Sequence, residues 1–171
     1  FIKSDIYKKF IQSREVNINN LPKEYDYIYD IFIVDLEGNI LYSTKKENDF
    51  GTNLQNGLYS STKFAKTFRK TISDGKIHFS DLEHYKPSKN KVAGFLTAPL
   101  NDNLGNIVGV FAVQIRPSSI LSKFIKRNTK SDNFMHYIVG EDGMLRSAIK
   151  TNDEILRKKI STDQFVLWHK E

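Results

Sequence analysis

Between residues 81 and 88 the sequence gathers polar side chains that are able to bind a small solute. Asp81, Tyr85 and Ser88 offer a carboxylate, a phenol and a hydroxyl shortly before a long apolar run. A few polar groups of this kind fix the orientation of a ligand in a pocket. An exposed loop in which the aspartate caps a turn explains the same residues equally well. Both interpretations stay open at the level of sequence.

A second group of residues has the side chains that bind metals. Residues this close along a strand and the loop after it lack the spacing of a known metal site, so a metal site is disfavoured and we expect no cofactor. The residues concerned are His78, Asp81, Glu83 and His84.

Three further polar residues lie elsewhere in the chain. Glu47 and Asp49 are one residue apart in a polar segment, and they suit either an acid pair or a hard-cation site. We favour a solvated loop there. Gln114 falls inside an apolar strand, where a buried amide must find a partner. It is a candidate to contact a ligand or to hold a loop in place.

Composition excludes several classes of function. The chain has no cysteine, which rules out disulfides, thiolate metal sites and a cysteine nucleophile. It lacks a nucleophile elbow, a phosphate-binding loop and a dinucleotide fingerprint, so we expect no enzymatic activity in this segment. The net charge of +6 comes from scattered lysines. Without an aromatic and basic signature, nucleic-acid binding is the weaker interpretation.

Short hairpins dominate the pattern of elements. Ile31–Val34 and Ile40–Tyr42 are apolar runs separated by the turn Asp35–Asn39, in which Gly38 is able to adopt positive φ. The same pattern, a strand followed by a turn containing glycine, recurs at residues 100–107 and 137–145. Three hairpins predict an antiparallel sheet.

Helical and irregular segments flank these hairpins. Spacing of apolar residues predicts helices, and Pro22 with its neighbouring asparagines is expected to end the first of them. Ser61–Thr62 is the expected N-cap of the second, which is expected to end at Asp74–Gly75. The elements are a helix over Phe1–Arg14, an irregular segment over Lys45–Tyr59, a helix to Asp74, a strand over Lys76–Asp81, a loop over Leu82–Lys91, strands over Val92–Leu100 and Ile107–Ile115, and a helix over Ile120–Arg127.

This order predicts an α+β fold with a five-stranded antiparallel sheet, a long N-terminal helix and flanking helices. Residues 1–130 would form this module. Residues 131–171 would be a partial second module with strands at 134–139 and 144–148, a helix at 153–159 and a last apolar run. No apolar stretch approaches the roughly 20 residues of a membrane span, so membrane anchors would lie outside this sequence.

Several of these segments together resemble the extracytoplasmic Cache sensor domains of bacterial receptors, also called PDC or PAS-like sensors, and most closely the double-Cache type. The matching segments are Tyr29–Asp35 with Gly38–Ile40, the run Lys46–Leu54 with Gly57 and Tyr59, Ser80–Asp81 with Tyr85, Pro87 and Ser88, Phe95–Pro99, Gly109–Gln114 and Tyr137–Ser147.

The resemblance implies a distal module, a proximal module and a small-molecule pocket between the concave sheet face and the polar loops beside it. Amino-acid-binding relatives place an aspartate where this chain has Gln114, and they carry a tryptophan–tyrosine pair that is missing here. This departure argues against an α-amino-acid ligand. The candidate ligand-binding residues are Tyr59, Phe79, Asp81, Tyr85, Phe95, Thr97 and Gln114.

The leading hypothesis is therefore a periplasmic small-molecule sensor domain of a membrane-anchored histidine kinase or chemotaxis receptor. The resemblance also implies a homodimer formed through the N-terminal helix. A module without a ligand, acting as a spacer or as a protein-interaction domain, is the alternative. A basic domain that binds nucleic acid is the third hypothesis.

Overall fold

The computed structural model describes residues 18–121, 137–148 and 154–160. The chain forms two compact units, Phe1–Arg116 and Pro117–Glu171. The predicted helix over Phe1–Arg14 and the predicted boundary between residues 130 and 131 lie outside the described residues. Within the described ranges, no helix has the length and apolar character needed to cross a bilayer.

The first unit is built on an antiparallel sheet with the strand path β2-β1-β6-β5-β3, and a short strand, β4, pairs with a different stretch of β5. This arrangement confirms the predicted α+β class and its five-stranded antiparallel sheet. The strands are β1 Ile28–Val34, β2 Ile40–Ser43, β3 His78–Phe79, β4 Glu83–Tyr85, β5 Lys91–Asn101 and β6 Ile107–Ile115.

The sheet buries one face against the helix α2, Lys63–Asp74. Alternation along β1 and β6 places Phe32 opposite Ala112 on this face. Phe64 of α2 stacks on Phe95 of β5 with ring centroids 4.3 Å apart and planes 9° apart. Phe68 is also fully buried there. Aromatic packing therefore fixes α2 over the middle of the sheet.

Both ends of α2 carry the caps that the sequence predicts. The Thr62 hydroxyl accepts a hydrogen bond from the Ala65 amide at 3.1 Å, which satisfies one orphan donor of the first turn. Gly75 adopts φ 67° and donates from its amide to the Thr71 carbonyl at 2.9 Å. The predicted helix boundaries are confirmed.

The predicted loop over Leu82–Lys91 was wrong in part, because it contains β4. Glu83 pairs with Ala93 and Tyr85 pairs with Lys91 of β5. The predicted strand over Lys76–Asp81 is shorter than expected, since only β3 pairs there. Polar residues in both segments weaken the alternation that identifies a strand.

The segment around Pro22 was predicted to be a helix break, and this was wrong for residues 18–24. These residues form a helix, which we call α1. A proline removes one hydrogen-bond donor, and here that loss falls in the last turn, where the Tyr25 amide still reaches the Leu21 carbonyl at 2.9 Å. The Tyr42 hydroxyl donates to Asn19 Oδ1 at 2.8 Å and stabilises the same helix from β2.

Two hairpin turns share one hydrogen-bond arrangement. The Asp35 carboxylate accepts from the backbone amide and the side-chain amide of Asn39, at 2.7 and 2.8 Å. Asp102 accepts from the same two groups of Asn106, at 2.8 and 3.1 Å. Each aspartate thus closes its turn from both sides, and both turns lie at the same end of the sheet.

A third turn, in the second unit, repeats the backbone pattern with different side chains. The Gly140 amide donates to the Met144 carbonyl at 2.9 Å, as Asp35 and Asp102 do to their asparagines. A Cβ on Gly140 would lie 2.3 Å from Nη2 of Arg146. Arg146 therefore occupies the space that the aspartate fills in the other two turns.

The second unit does not contain the helix predicted over residues 153–159. Residues 154–157 form a single turn, and Leu156 adopts φ 60°, which no right-handed helix accommodates. Its amide donates to the Leu145 carbonyl at 2.9 Å. Single bridges link Val139 to Leu145 and Met144 to Lys159 in place of the predicted strands in the described part.

Candidate functional site

Three carboxylates lie together between the helix-bearing face of the sheet and the segment of residues 44–62 that connects β2 to α2. Asp30 comes from β1, and Glu47 and Asp49 come from the 44–62 segment; we call these three residues the acidic cluster. Asp30 and Asp49 are fully buried. Asp30 pairs with Gln114 across the β1–β6 ladder, so it shares the buried face with Phe32.

Asp30 is enclosed by hydrogen-bond donors. Ser43 donates to Oδ2 at 2.8 Å and Thr44 donates to Oδ1 at 2.6 Å. The backbone amides of Ile31 and Lys45 also reach Oδ1, at 2.7 and 3.0 Å. Burial raises the pKa of Asp30, and the hydrogen bonds from these hydroxyls and amides oppose that rise.

Asp49 is less well satisfied than Asp30. Its Oδ2 accepts a hydrogen bond from the Tyr85 hydroxyl at 2.7 Å, whereas Oδ1 is buried without a partner among the described residues. The pKa of Asp49 is raised to about 6, mainly by burial and also by the negative charges of Asp30 and Glu47, while hydrogen bonds from Tyr85 and from its own backbone amide oppose the rise. An orphaned buried acceptor of this kind costs stability and calls for an explanation.

Glu47 ties three parts of the unit together. Tyr29 of β1 donates to its Oε1 at 2.7 Å, and Ser88 donates to its Oε2 at 2.7 Å. Gln114 of β6 donates from Nε2 to the Ser88 hydroxyl at 3.0 Å. Burial, followed by the hydrogen bond to Glu47, raises the pKa of Tyr29 to about 12. The loop after β4, the 44–62 segment and the sheet therefore meet at this carboxylate.

Three cationic side chains lie close to the aromatic ring of Tyr29. The Nζ atoms of Lys45 and Lys91 each lie 5.6 Å from its ring centroid, and the Arg116 guanidinium lies 5.2 Å from it. These distances permit cation–π attraction. A basic rim thus adjoins the acidic cluster.

The 44–62 segment is held in place by its own polar side chains. Asn53 donates from Nδ2 to the Glu37 carbonyl at 2.9 Å and to Asn39 Oδ1 at 2.8 Å. Arg69 of α2 donates to the carbonyls of Leu54 and Ser60, at 2.9 and 3.1 Å. These bonds position Glu47 and Asp49 although the segment has no regular secondary structure.

A depression of about 360 Å³ opens beside the acidic cluster. Thr44 lines this depression, and its hydroxyl donates a hydrogen bond to Asp30. The lining residues are Asn19, Pro22, Lys23, Thr44 and Lys45.

The β4 strand connects this cluster to the helix. Tyr85 reaches Asp49, and two residues earlier Glu83 accepts from the first amides of α2, Lys63 and Phe64, at 3.0 and 3.1 Å. A carboxylate at a helix N-terminus is electrostatically favourable. One short strand therefore contacts both the acidic cluster and the start of α2.

The structure brings together some of the seven ligand-binding residues that the sequence analysis named. Tyr85 and Gln114 contact the polar network directly, and the buried Tyr59 ring lies 6.4 Å from the Tyr85 ring. Phe95 is in the aromatic core, and the Thr97 hydroxyl lies 2.7 Å from that of Thr71. Ligand contact at these five positions stays a prediction.

The other two named residues lie apart from the cluster. Phe79 is 54% exposed and packs beside Gly94 of β5. Asp81 forms an exposed ion pair with Lys63 at 2.8 Å. Their roles in ligand binding also stay predictions, but any such ligand would be separate from one held at the acidic cluster.

The four residues with metal-binding side chains have separate partners. His78 contacts Asp74 at 2.8 Å, and His84 Nδ1 lies 3.2 Å from the Asn90 carbonyl. Glu83 contacts the helix and Asp81 contacts Lys63. Across the described ranges, no group of three or more histidine or carboxylate side chains is arranged to hold a metal ion.

Sequence reasoning missed Asp30 and misjudged Asp49. The solvated-loop interpretation was wrong for Asp49, which is fully buried. Asp30 precedes the apolar run of β1 and is two residues from Phe32 and four from Val34, so strand alternation assigns it to the buried face. The presence of a carboxylate two residues before Phe32, on the alternating face of β1, was the sequence signal that could have identified Asp30.

Comparison with known proteins places the fold among receptor sensor domains. An extracellular ligand-binding receptor from Desulfohalobium retbaense superposes with a TM-score of 0.64 at 18% identity, covering 91% of this chain and 27% of its own. The sensor domain of the Vibrio cholerae histidine kinase DctB gives 0.54 at 17% identity, covering 76% and 45%. The ligand-binding domain of the Pseudomonas aeruginosa chemoreceptor PctB, solved with L-Arg, gives 0.54 at 11% identity, covering 88% and 58%.

The chain is shorter than these structures, since it spans 27 to 58% of their lengths. No family model and no curated protein sequence matches it. At these identities the likeness concerns the fold. The chain has the α+β fold of the PAS-like extracellular sensor domains found in histidine kinases and chemoreceptors.

Proposed function

We propose that this chain is the extracytoplasmic sensor part of a membrane-anchored receptor and that it binds a small molecule at the acidic cluster. The observation that carries the proposal is the fully buried Asp49 carboxylate with an unpartnered oxygen. In a folded core such an atom is costly, and a ligand that supplies a donor removes the cost. The fold supports the same role by similarity alone.

The polar network around the cluster fits a binding site better than a structural core. Tyr29, Tyr85 and Ser88 donate to the carboxylates from three different segments, and Gln114 holds Ser88 from β6. Small-molecule sites combine apolar walls with a few convergent polar groups. Burial of Phe95 and Tyr85 supplies the apolar wall.

The wider receptor architecture belongs to the same proposal. Membrane anchors and an output domain, of histidine kinase or chemoreceptor type, would lie in a longer protein. A homodimer through the N-terminal helix would place two copies side by side. The chain itself would bind and transmit, with no catalytic step of its own.

A thermal-shift screen of a small-molecule library against the purified chain tests the sensing role. A ligand at 100 times its Kd stabilises the folded state by about 2.7 kcal/mol. The Gln114→Ala variant should lose the response, because Gln114 holds Ser88 against Glu47. Gln55→Ala is the matched control, since Gln55 is exposed and its side-chain amide donates to the Leu36 carbonyl and not to the cluster.

A spacer module is the second candidate, and the packing under α2 favours it. The Phe64–Phe95 stack and the Thr71–Thr97 contact fill the space between helix and sheet. A spacer would show no thermal shift with any library member. It would also tolerate Gln114→Ala with no change beyond folding stability.

A further inference from the structure

We infer that the depression beside α1 binds a small organic phosphomonoester, with its phosphate group held between Lys23 and Lys45. The depression has a volume of about 360 Å³. This site is separate from the acidic cluster, and the inference stands whether or not a ligand binds there. It follows from the position of the depression in the fold, the donors that line it and the positive charges around it.

The depression adjoins the face of the sheet opposite to α2. Tyr42 of β2 pairs with Ile33 of β1, so these two side chains share a face, and alternation places them opposite to Phe32, which packs under α2. The Tyr42 hydroxyl donates to Oδ1 of Asn19 at 2.8 Å, and Asn19 lines the depression. A ligand there meets α1 and the end of β2, whereas Asp30 shares the other face with Phe32.

Two lysines of the lining lack an anionic partner. Among the described residues, neither Lys23 nor Lys45 forms an ion pair. Lys23 Nζ contacts Oδ1 of Asn20 at 3.5 Å, and Lys45 Nζ lies 5.6 Å from the centre of the Tyr29 ring. Both lysines are exposed, so their flexible side chains are able to turn toward an anion in the depression.

The other lining residues define what else a ligand can contact. Oδ1 of Asn19 already accepts from Tyr42, so the Nδ2 group of Asn19 remains as a donor. The Thr44 hydroxyl donates to Asp30 at 2.6 Å and is therefore not available as a donor. Pro22 contributes apolar surface. The lining thus offers two ammonium groups, one amide donor and a small apolar wall.

The neighbouring surface adds positive charge. The Lys91 ammonium and the Arg116 guanidinium lie 5.6 and 5.2 Å from the same Tyr29 ring that Lys45 approaches. Glu47 accepts a hydrogen bond from the Tyr29 hydroxyl and offsets one of these charges. The remaining positive charge attracts anions to this end of the sheet.

The buried carboxylate of Asp30 opposes an anion only weakly. It lies behind the Thr44 hydroxyl, and the Ser43 hydroxyl and the backbone amides of Ile31 and Lys45 also donate to it. The dipoles of these donors point at the carboxylate and offset its charge. Burial also raises the pKa of Asp30, which lowers its negative charge at a given pH. The exposed lysines therefore determine the sign of the charge that the depression attracts.

A phosphomonoester matches these groups better than other common anions. It carries a charge of about −1.5 to −2 at pH 7 and presents three acceptor oxygens, enough for two ammonium groups and one amide. A carboxylate or a phosphodiester carries a single charge and leaves one lysine uncompensated. Lysine binds phosphate in many proteins because it acts as a compact point charge.

The size of the depression favours an organic ester over inorganic phosphate. Pockets of roughly 300–1,000 Å³ hold whole small molecules, and a volume of about 360 Å³ falls at the lower end of that range. The carbon skeleton of a compact ester would lie against Pro22 while its phosphate lies between the lysines. Sugar phosphates and glycerol phosphate have this size and chemistry.

Calorimetric titration of the purified chain with glucose 6-phosphate and with glycerol 3-phosphate at pH 7.5 tests the inference. We expect saturable binding that weakens as salt increases, because screening reduces the attraction between exposed charges. Glucose, glycerol, glucose 6-sulfate and inorganic phosphate are the controls, and each should bind at least about fivefold more weakly. Vesicles that contain phosphatidic acid present the same phosphate group on a lipid.

The dependence on pH separates a dianion from a monoanion. A phosphomonoester gains its second charge with a pKa of about 6, whereas a sulfate ester does not titrate in this range. The affinity for glucose 6-phosphate relative to glucose 6-sulfate should therefore rise about three- to tenfold between pH 5 and pH 7.5. The comparison removes the effect of the protein's own charged groups near the depression, which are Lys23 from α1, Lys45 and Glu47 from the 44–62 segment and Asp30 from β1.

Variants at the two lysines assign binding to the depression. Lys23→Gln and Lys45→Gln should each weaken ester binding about three- to tenfold, and the double variant should abolish it. Lys66→Gln is the matched control, because Lys66 is exposed on α2, which covers the other face of the sheet, and its replacement removes the same charge. This control should change the affinity less than about twofold.

Nuclear magnetic resonance spectra of the labelled chain locate the ester. The amide resonances of Thr44 and Lys45 should shift as glucose 6-phosphate is added, and shifts confined to other parts of the chain would contradict the inference. So would failure of both esters to bind, equal weakening in Lys66→Gln, equal affinity for inorganic phosphate or glucose 6-sulfate, or binding confined to the vesicles. Ligand binding at the acidic cluster is tested separately by the thermal-shift screen.

Discussion

Tyr85 donates its phenolic hydrogen to Asp49 across 36 positions of sequence, at 2.7 Å, with both side chains fully buried. The bond joins β4 to the 44–62 segment. It also stabilises the ionised form of Asp49, while the buried location and the charge of that carboxylate raise the pKa of Tyr85 far above its ordinary range. The two residues therefore act as one pair in stability and in titration.

Removal of this hydroxyl should destabilise the protein in a pH-dependent way. Tyr85→Phe leaves both oxygens of Asp49 without a donor, which costs about 1–3 kcal/mol when the carboxylate is ionised. The pKa of Asp49 rises further in this variant, so the loss should be smaller at pH 5 than at pH 8. Urea unfolding at the two pH values measures it. Tyr25→Phe, at a 44% exposed position, is the control and should change stability little.

The contribution of Asp49 to the stability of the chain should fall as pH rises from 4 to 7. The folded pKa of Asp49, about 6, lies above its ordinary value of 3.8, so the folded state binds more protons than the unfolded state in this interval. The free energy of unfolding therefore decreases with pH, by up to about 3 kcal/mol from this residue. Burial raises the pKa of Asp30 in the same direction.

Urea midpoints measured at half-unit steps of pH check this dependence. Asp49→Asn should flatten the profile because it removes the titrating group. Midpoints of the wild type and of Asp49→Asn that change equally with pH would contradict the proposed proton uptake by Asp49 on folding.

Truncation of Glu83 should show how much the contact between β4 and the start of α2 contributes to stability. Glu83→Ala removes the acceptor for the amides of Lys63 and Phe64 and should cost about 1–2 kcal/mol. Chemical denaturation provides the value. Glu37→Ala, which alters an exposed glutamate in a turn, should stay within 0.5 kcal/mol, as surface changes usually do. Equal losses in the two variants would refute the capping role.

The two matching hairpin turns should respond differently to alanine. Gly105 has φ 85° with open space around it, so Gly105→Ala should cost about 1–2 kcal/mol from backbone conformation alone. Gly38 has φ 90°, and a Cβ there would lie 2.6 Å from Gln55 Cγ and 3.1 Å from its backbone nitrogen. Gly38→Ala should therefore cost more, and thermal unfolding of the two variants compares them directly. A smaller loss of stability in Gly38→Ala than in Gly105→Ala would show that Gln55 and its segment move aside at little cost.

The sequence predicted those elements in which local chemistry and tertiary packing agree. Thr62 and Gly75 mark the ends of α2 because cap geometry is local. The strands β5 and β6 are long and apolar, so their pattern is strong. The strand β4 escaped prediction because its polar residues weaken the alternation that identifies a strand, although β5 begins only six residues after Tyr85. The segment around Pro22 was mispredicted for another reason, since Tyr42 stabilises α1 from a strand that is distant in sequence.

The candidate site was harder to predict than the fold. Polar residues such as Glu47 and Asp49 look solvated in the sequence, because only the folded chain places Tyr29, Ser88 and Tyr85 against them. Tyr85 and Gln114 were found since an aromatic hydroxyl and an amide near apolar strands stand out locally. Alternation along β1 indicated the buried face for Asp30, but its partners Ser43 and Thr44 come from another segment that the sequence does not place beside it.

The length of β4 has a mechanical consequence. Glu83 and Tyr85 are separated by one residue, so this three-residue strand is too short to bend between the helix and the carboxylate that it touches. A guest that draws Tyr85 away from Asp49 must also pull on the first turn of α2. Ligand binding at the cluster and the tilt of α2 would then be coupled through β4.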